Sequence, residues 1–423
     1  MKFLQRGLPL ALIVSGLVWA ACLASSVCPA QRHAFYLDGS EWFGDYRVAR
    51  ECAAAAVTYR PGLVEAKDAC YPPICYALVG WLPRDVMRGG AFFSLLGATA
   101  FLLALAVFAH RATDGDVGAA ALWVAGVALS APMVLAVTVS NQVLLAAAGV
   151  LVFLAWHDAP SRARRLAALA ALAVASALKL TPAVFAALLV KRRDWKGLAV
   201  CAAAGAALVF VPFAWAGGFE GLRDLLANLK LQSDYYSLRT TWGVVALDRS
   251  LRIALTGGFG SLASTTYVVS RTATVLLGVL CLYRFFRVPG RTEEVVLLAA
   301  AISFLPAPAQ PYTGLYLAPA MLLAVKAPRL ACEPLLWLTV FCVLQIPLGN
   351  GSANHALAGL AHLALVGLWL LPPRRRAGGT PASRVHSQMG AKEGNAGFDK
   401  AGVFRLCEAP EPEAEPETRK AAR

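Results

Sequence analysis

Charged residues are scarce in this sequence, because Asp, Glu, Lys and Arg together make up 15% of 423 residues. Ordinary soluble domains carry roughly 25%. Hydrophobic residues account for 58% of the chain, and the mean hydropathy is +0.59. The shortage of charge excludes an ordinary soluble domain. The apolar residues form many runs separated by short Arg-rich or Gly/Pro-rich turns, which is typical of a polytopic membrane protein.

Several chemical signatures are also missing. The six His are scattered without metal-ligand spacing, no Gly-rich loop matches a nucleotide cradle, and the ten Cys form no CxxC pair. We therefore predict no metal site, no cofactor and no nucleotide substrate. The net charge of +14 does not indicate nucleic-acid binding, since Lys and Arg cluster where hydrophobic runs end, as the positive-inside rule requires.

The apolar runs predict helices and not barrel strands, because a run such as "AALWVAGVALSAPMVLAVTV" (120–139) does not alternate. The run behind Lys2 and Arg6 resembles a signal peptide, but we interpret it as a retained first helix because so many spans follow. The fold class is thus all-α, with about 12 transmembrane helices. They are expected near 7–26, 90–109, 118–139, 142–156, 166–178, 180–190, 198–216, 267–286, 294–306, 312–325, 334–348 and 353–371.

Basic clusters fix the predicted topology, since clusters at membrane borders are expected in the cytoplasm. These clusters are "RARR" (162–165), "KRRDWK" (191–196), "RFFRVPGR" (284–291), "KAPR" (326–329) and "RRR" (374–376). Both termini are then cytoplasmic. Residues 1–373 form the membrane domain, and residues 374–423, which contain "EAPEPEAEPE", are predicted to be a disordered cytoplasmic tail.

One run is informative about chemistry. Residues 166–190 could cross the membrane once, but basic clusters flank the run on both sides and a single crossing would place one of them outside. Two short helices that meet at "LKLTP" satisfy the charge rule, and Pro182 suits a first helical turn. Lys179 then lies near the outer membrane surface, where a cation often marks a site. The alternative is a lysine that extends toward water.

Polar residues concentrate in two predicted outward segments, 27–89 and 217–266, which are expected to carry short amphipathic helices. The first contains Asp38 and Asp45, followed by the amphipathic stretch "YRVARECAAAAVTY". The second combines Arg239 with several aromatic residues. Cations and aromatics at an interface suit a phosphorylated lipid head group, although an ordinary interfacial belt explains them almost as well.

The order of the motifs resembles glycosyltransferase family 87, whose members use polyprenyl-phosphate sugars. The segments that carry the resemblance are "GDYRVAREC", then "CYPPICYALVGWLP", then residues 140–195 with a Gln after a helix, a basic turn and a "K-x-x-P" hairpin. The resemblance covers about residues 5–370. It implies the GT-C-like membrane fold of lipid-linked sugar transferases, with the active site on the non-cytoplasmic face of the inner or plasma membrane.

The resemblance also implies roles for individual residues. Asp45 is the expected general base, with Asp38 as the competing acid. Lys179 and Arg239 would hold the donor phosphate, with Tyr71 and Gln142 as further substrate contacts. The implied partners are a polyprenyl-phosphate sugar donor, most simply mannose with arabinose as the next candidate, a lipid or glycan acceptor, and membrane lipids.

Two departures from the family pattern stand out. Asn141 occupies the place where glycine usually precedes Gln142, and residues 304–319 lack the Trp and His often found there. Gln310 and Tyr312 are candidate replacements for these polar contacts. Two alternatives stay open at this point: a lipid or sugar transporter or flippase, and a non-catalytic relative that binds the lipid carrier. The sequence shows no convincing internal repeat of the kind that many transporters have.

Overall fold

A computed structural model describes residues 2–24, 42–54, 70–237, 264–304, 311–346 and 351–372. All regular elements in these residues are helices, and no strand occurs among them, which confirms the all-α class. The first eight α-helices are α1 (Lys2–Ala24), α2 (Gly44–Ala54), α3 (Pro73–Gly80), α4 (Val86–Ala112), α5 (Val117–Ala128), α6 (Ala131–Val139), α7 (Val143–Trp156) and α8 (Arg162–Leu178).

The second half of the chain continues with α9 (Ala187–Lys191), α10 (Trp195–Phe210), α11 (Gly218–Ser237), α12 (Ser264–Arg287), α13 (Arg291–Phe304), α14 (Ala318–Ala324), α15 (Glu333–Cys342) and α16 (Gly351–Leu370). Four 3₁₀ segments extend these helices: Thr181–Ala186, Val211–Ala214, Pro311–Leu317 and Val343–Gln345. The predicted tail, residues 374–423, lies outside the described residues.

The predicted helices agree closely in position with the observed ones, with one correction. The single helix expected over 118–139 is two helices, α5 and α6, whose axes differ by 56°. Ser130 precedes α6 and Pro132 lies in its first turn. Proline cannot continue the hydrogen-bond ladder of a preceding helix but suits the start of a new one, which explains the break.

Among the residues that the structure describes, three helical stretches are long and apolar enough to cross a membrane: Arg6–Ala24, Val86–Ala112 and Trp195–Ala214. The bent pair α5 and α6 makes a fourth if the two helices together form one span. Several shorter apolar helices, such as α7, are also present. These findings support a membrane protein, and the count of about 12 crossings stays a prediction.

Helix α7 occupies the centre of the largest hydrophobic core, and most of its residues are buried. Small residues allow its neighbour α8 to approach closely. A Cβ added to Gly149 of α7 would lie 2.6 Å from the carbonyl oxygen of Ala171 and 2.9 Å from Cβ of Ala175, both in α8. Close helix contacts of this kind are typical of membrane bundles, where packing replaces the hydrophobic effect as the driving force.

Ion pairs connect the turns between helices at one end of the bundle. The pairs are Arg6–Asp116, Lys326–Asp114, Arg329–Glu293, Lys191–Glu294, Arg291–Asp158 and Arg165–Asp194. These pairs bring together turns that carry predicted cytoplasmic clusters and the start of α1. We call this face of the bundle the ionic end. Its composition agrees with the topology predicted from the basic clusters.

The Arg165–Asp194 pair, with 2.5 Å between Nη2 and Oδ2, shows that the segment between these residues doubles back. Arg165 lies in the first turn of α8, and Asp194 follows α9. The chain therefore forms the predicted hairpin of two short helices. Pro182 lies in the first turn of the segment Thr181–Ala186, as predicted, although that segment is a 3₁₀ helix and only its continuation α9 is α-helical.

Candidate functional site

Lys179 lies at the tip of the hairpin, directly after the last residue of α8. Lys179 is fourteen positions after Arg165, so the two lie about 20 Å apart along the helix axis at a rise of about 1.5 Å per residue. The site that contains Lys179 is thus at the end of α8 opposite to the ionic end. We call it the Lys179 end.

The short helix α2 is held against the start of α4 by two aromatic residues. The Phe43 ring fills the space that a Cβ on Gly90 would need, and the Tyr46 phenol does the same at Gly89. Tyr46 Oη also donates a hydrogen bond to the carbonyl of Pro83 at 2.8 Å. The Gly89–Gly90 pair therefore provides room for both rings, and the first turn of α2, which contains Asp45, is fixed in place.

Asp45 lies in that first turn and is partly buried. Its Oδ2 accepts a hydrogen bond of 2.5 Å from Nδ2 of Asn141, which is only 1% exposed. The Phe43 amide also donates to the Thr138 carbonyl at 2.9 Å, which joins the start of α2 to the end of α6. An acid in the first turn of a helix is stabilised by the unpaired N–H groups there.

Asn141 connects Asp45 to the beginning of α7. Its side-chain Oδ1 accepts the Val143 amide at 2.8 Å, an Asx turn that starts the helix. Ser140 adopts a left-handed conformation with φ of 59°, and its Oγ donates to the Gly90 carbonyl at 2.9 Å. The junction between α6 and α7 is therefore held by buried hydrogen bonds on both sides of Asn141.

Lys179 is next to Tyr312, with Nζ 4.8 Å from the centre of the phenol ring. The Lys179 ammonium also interacts electrostatically with the Asp45 carboxylate. A hydrogen bond of 3.2 Å from Cys75 Sγ to the carbonyl of Leu178 fixes α3 against the end of α8. Asp45, Lys179 and Tyr312 thus come together from three separate parts of the chain.

The Tyr71-Pro72-Pro73 turn forms the start of α3, because Pro72 is the N-cap and Pro73 the first helical residue. The Tyr71 amide donates to Oη of Tyr76 at 3.0 Å. Desolvation raises the pKa of Tyr71 well above its ordinary value, and the Asp45 carboxylate raises it further. The Tyr71 phenol therefore stays neutral at physiological pH and can act as a hydrogen-bond donor beside Asp45.

Gln142 follows Asn141 and is 4% exposed. Its Nε2 has no hydrogen-bond partner among the described residues. A buried donor without a partner is uncommon in native proteins, and a ligand or an ordered water often supplies the missing acceptor. Gln142 therefore has a donor available for a bound molecule, and its role as a substrate contact stays a prediction.

The structure thus brings together four of the predicted site residues, namely Asp45, Lys179, Tyr71 and Tyr312, and Gln142 follows Asn141 in the chain. Three other predicted residues, Asp38, Arg239 and Gln310, lie outside the described part of the chain. No group of three or more His, Cys, Asp and Glu within the described ranges has the arrangement of a metal site.

Asn141 is a member of the site that the sequence reasoning missed. An Asn between two apolar helices, in the sequence "SNQ", is a signal for an Asx turn at a helix start. That signal explains the bond to Val143. The pairing of Asn141 with an acid 96 residues away could not be inferred from it.

Comparison with known proteins gives one family match. The model of glycosyltransferase family 87 matches residues 70–308, more than half of the chain. The matched range includes Tyr71, Gln142 and Lys179, while Asp45 and Tyr312 lie outside it. No curated protein and no solved structure matches the chain.

Proposed function

The chain belongs to glycosyltransferase family 87, and from this membership we propose that it transfers a sugar from a polyprenyl-phosphate donor to a hydroxyl group of a lipid or glycan acceptor. Mannose is the first candidate for the sugar. The observation that carries the proposal is the arrangement at the Lys179 end, where Lys179 lies over the Tyr312 ring and within electrostatic range of an Asp45 carboxylate that is held by Asn141. Family membership itself indicates a glycosyltransferase and so disfavours the transporter hypothesis.

In the proposed reaction, Asp45 removes the proton from the acceptor hydroxyl while the hydroxyl oxygen attacks the anomeric carbon of the donor sugar. The bond between that carbon and the phosphate oxygen breaks, and its electron pair leaves with the polyprenyl phosphate. The proton ends on Asp45 and later passes to solvent. A single displacement needs one carboxylate as base and groups that stabilise the departing phosphate.

Lys179 is the proposed contact of the phosphate. The donor is a phosphodiester, and its leaving group gains negative charge as the bond to the sugar breaks, so a nearby ammonium group stabilises the transition state. The Tyr71 phenol and the Nε2 group of Gln142 add neutral donors, and Arg239 is a further candidate cation. Tyr312 limits the position of the lysine by its contact with the Nζ group.

The apolar helix faces suit a lipid carrier. Large hydrophobic side chains are exposed along α4, among them Phe92, Leu95 and Leu103. Such surfaces are stable in the hydrocarbon core of a bilayer, where the polyprenyl chain of the donor also lies. We place the protein in the cell membrane with the Lys179 end on the outer face. The ionic end then faces the cytoplasm, in agreement with the positive-inside rule.

Direct assay of donor use tests this proposal. Purified protein in detergent or nanodiscs is incubated with radiolabelled polyprenyl-phosphate mannose and a membrane lipid extract, and with the corresponding arabinose donor in parallel. We expect a labelled lipid or glycan product together with release of polyprenyl phosphate. Binding of either donor without any product would instead identify a non-catalytic carrier-binding relative. No binding of either donor would contradict the proposal.

A further inference from the structure

The hydrogen bond from Asn141 to Asp45 fixes one oxygen of the proposed base. We propose that Asn141 is a positioning residue that holds the Asp45 carboxylate ionised and correctly oriented for proton removal. This inference rests on the proposed role of Asp45 as the base.

The geometry gives Asn141 two separate tasks. Its Nδ2 donates to Asp45 Oδ2 at 2.5 Å, and its Oδ1 accepts the Val143 amide at 2.8 Å. The second bond fixes the plane of the amide group, since both ends of a planar group are then engaged. The N–H donor is consequently aimed at one oxygen of Asp45, and rotation of the carboxylate is restricted.

Burial increases the importance of this donor. Asn141 is 1% exposed, and its neighbours Ser140 and Gln142 are also buried, so water has little access to this side of Asp45. A carboxylate on such a surface needs protein donors in place of the lost hydration. Lys179 supplies charge, but its ammonium is also the proposed phosphate contact. Asn141 supplies a donor that is independent of the substrate.

Two substitutions separate the tasks of Asn141. Asn141→Asp keeps an acceptor for the Val143 amide, but it replaces the donor toward Asp45 with a second carboxylate. Asn141→Ala removes both functions without adding charge. A purely structural role in starting α7 predicts near-normal turnover in Asn141→Asp, whereas the positioning role predicts a defect in both variants.

The expected effects are kinetic. In both variants kcat should fall about 10- to 100-fold near neutral pH, as for loss of a hydrogen bond to a charged group, while KM for the donor changes little. The acid limb of the kcat profile should move to higher pH in both, because loss of an N–H donor, or addition of a like charge, disfavours the ionised carboxylate. Part of the lost turnover should return at alkaline pH.

The control is a buried asparagine in another helix. Asn354 of α16 is 3% exposed and donates to the carbonyl of Ile346 at 2.8 Å, so Asn354→Asp also buries a carboxylate but faces no acid in that bond. It should lower the midpoint of thermal unfolding and leave the pH profile as in the wild type. The three variants are compared by detergent-solubilised unfolding and by pH-dependent transfer from radiolabelled polyprenyl-phosphate mannose.

Asp45→Asn, assayed in parallel, distinguishes failure of the positioning role of Asn141 from failure of the proposed role of Asp45 as the base. If Asp45→Asn is inactive and both Asn141 variants show wild-type kcat and pH profile, the positioning role is wrong and the proposed function stands. If Asp45→Asn retains normal turnover, the proposed base itself is wrong. A reduced kcat with an unshifted pH profile in both Asn141 variants would also overturn the positioning role.

Discussion

Arg165 and Asp194 form an ion pair at the ionic end, although the 28 residues between them include most of α8 and all of α9. The pair closes the base of a helical hairpin whose tip carries Lys179. Because both ends of the hairpin lie on one side, Lys179 is placed at the opposite side of the bundle, over the Tyr312 ring and within electrostatic range of Asp45. The position of the proposed active site thus depends on this reversal of the chain.

Sidedness can be tested by cysteine labelling in a background whose native cysteines are replaced. Trp81 is 92% exposed after α3, and Lys196 is exposed at the start of α10, beside the ionic end. Trp81→Cys should react with a membrane-impermeant maleimide in intact cells, and Lys196→Cys only after permeabilisation. Labelling of Lys196→Cys in intact cells would contradict the predicted topology and the outward position of Lys179.

The phosphate contact predicts a binding defect in Lys179→Met, which removes the charge and keeps most of the side-chain length. Since charge-assisted hydrogen bonds contribute about 1.5 to 3 kcal/mol, KM for the donor should rise about 10- to 100-fold, and kcat should fall as well because the leaving phosphate gains charge in the transition state. Lys179→Arg should restore part of this loss, and Arg239→Ala should weaken donor use in the same direction.

The matched control is Lys326→Met, which removes a lysine that pairs with Asp114 at the ionic end. Its donor KM should equal that of the wild type. An unchanged donor KM in Lys179→Met would show that Lys179 only extends toward water.

The packing of α7 against α8 predicts opposite effects on thermal stability for two Gly→Ala substitutions. A Cβ on Gly149 would lie 2.6 Å from the Ala171 carbonyl oxygen, whereas a Cβ on Gly367 of α16 would meet no atom within 4 Å. Both changes gain up to about 1 kcal/mol of helix propensity. Gly149→Ala should nevertheless lower the midpoint of thermal unfolding in detergent, because the clash involves backbone.

Gly367→Ala should leave that midpoint unchanged or raise it slightly. Equal stabilisation by the two substitutions would indicate that α7 and α8 are not packed as closely as described.

The sequence predicted most helix positions because each apolar run is bounded by basic or Gly/Pro-rich turns, and the hairpin followed from charge alone. It missed the break between α5 and α6, since Pro132 within a continuous apolar run is also compatible with a kinked single helix. It named Asp45 and Tyr312 from a family resemblance, and Lys179 from that resemblance and from the charge-based hairpin. Their mutual contacts depend on tertiary packing between α2, the hairpin and Pro311–Leu317, which local patterns do not specify.

Asn141 illustrates the same limit. The resemblance placed Asn141 where glycine usually precedes Gln142. An exchange of glycine for asparagine gave no reason to expect a role in the reaction. The hydrogen bond to Asp45 forms because Phe43 and Tyr46 pack α2 against the Gly89–Gly90 pair. Packing between elements that are far apart in the chain, such as α2 and α4, produces no periodic pattern in the sequence.

Sugar transfer by purified Asp45→Asn tests most directly the proposal that Asp45 is the general base. The substituted amide keeps the side-chain shape and can still accept from Asn141, so folding and donor binding should persist. Glu51→Gln, an exposed change on the same helix, is the matched control, and Asp38→Asn tests the competing acid.

The rate of transfer from radiolabelled polyprenyl-phosphate mannose is measured for the wild type and the three variants after equal thermal stability has been verified. Loss of a general base typically lowers the rate about 10² to 10⁴-fold. We expect a loss of this size in Asp45→Asn, with wild-type rates in Glu51→Gln. Near-normal turnover in Asp45→Asn would contradict it, and an inactive Asp38→Asn beside it would assign the base to Asp38.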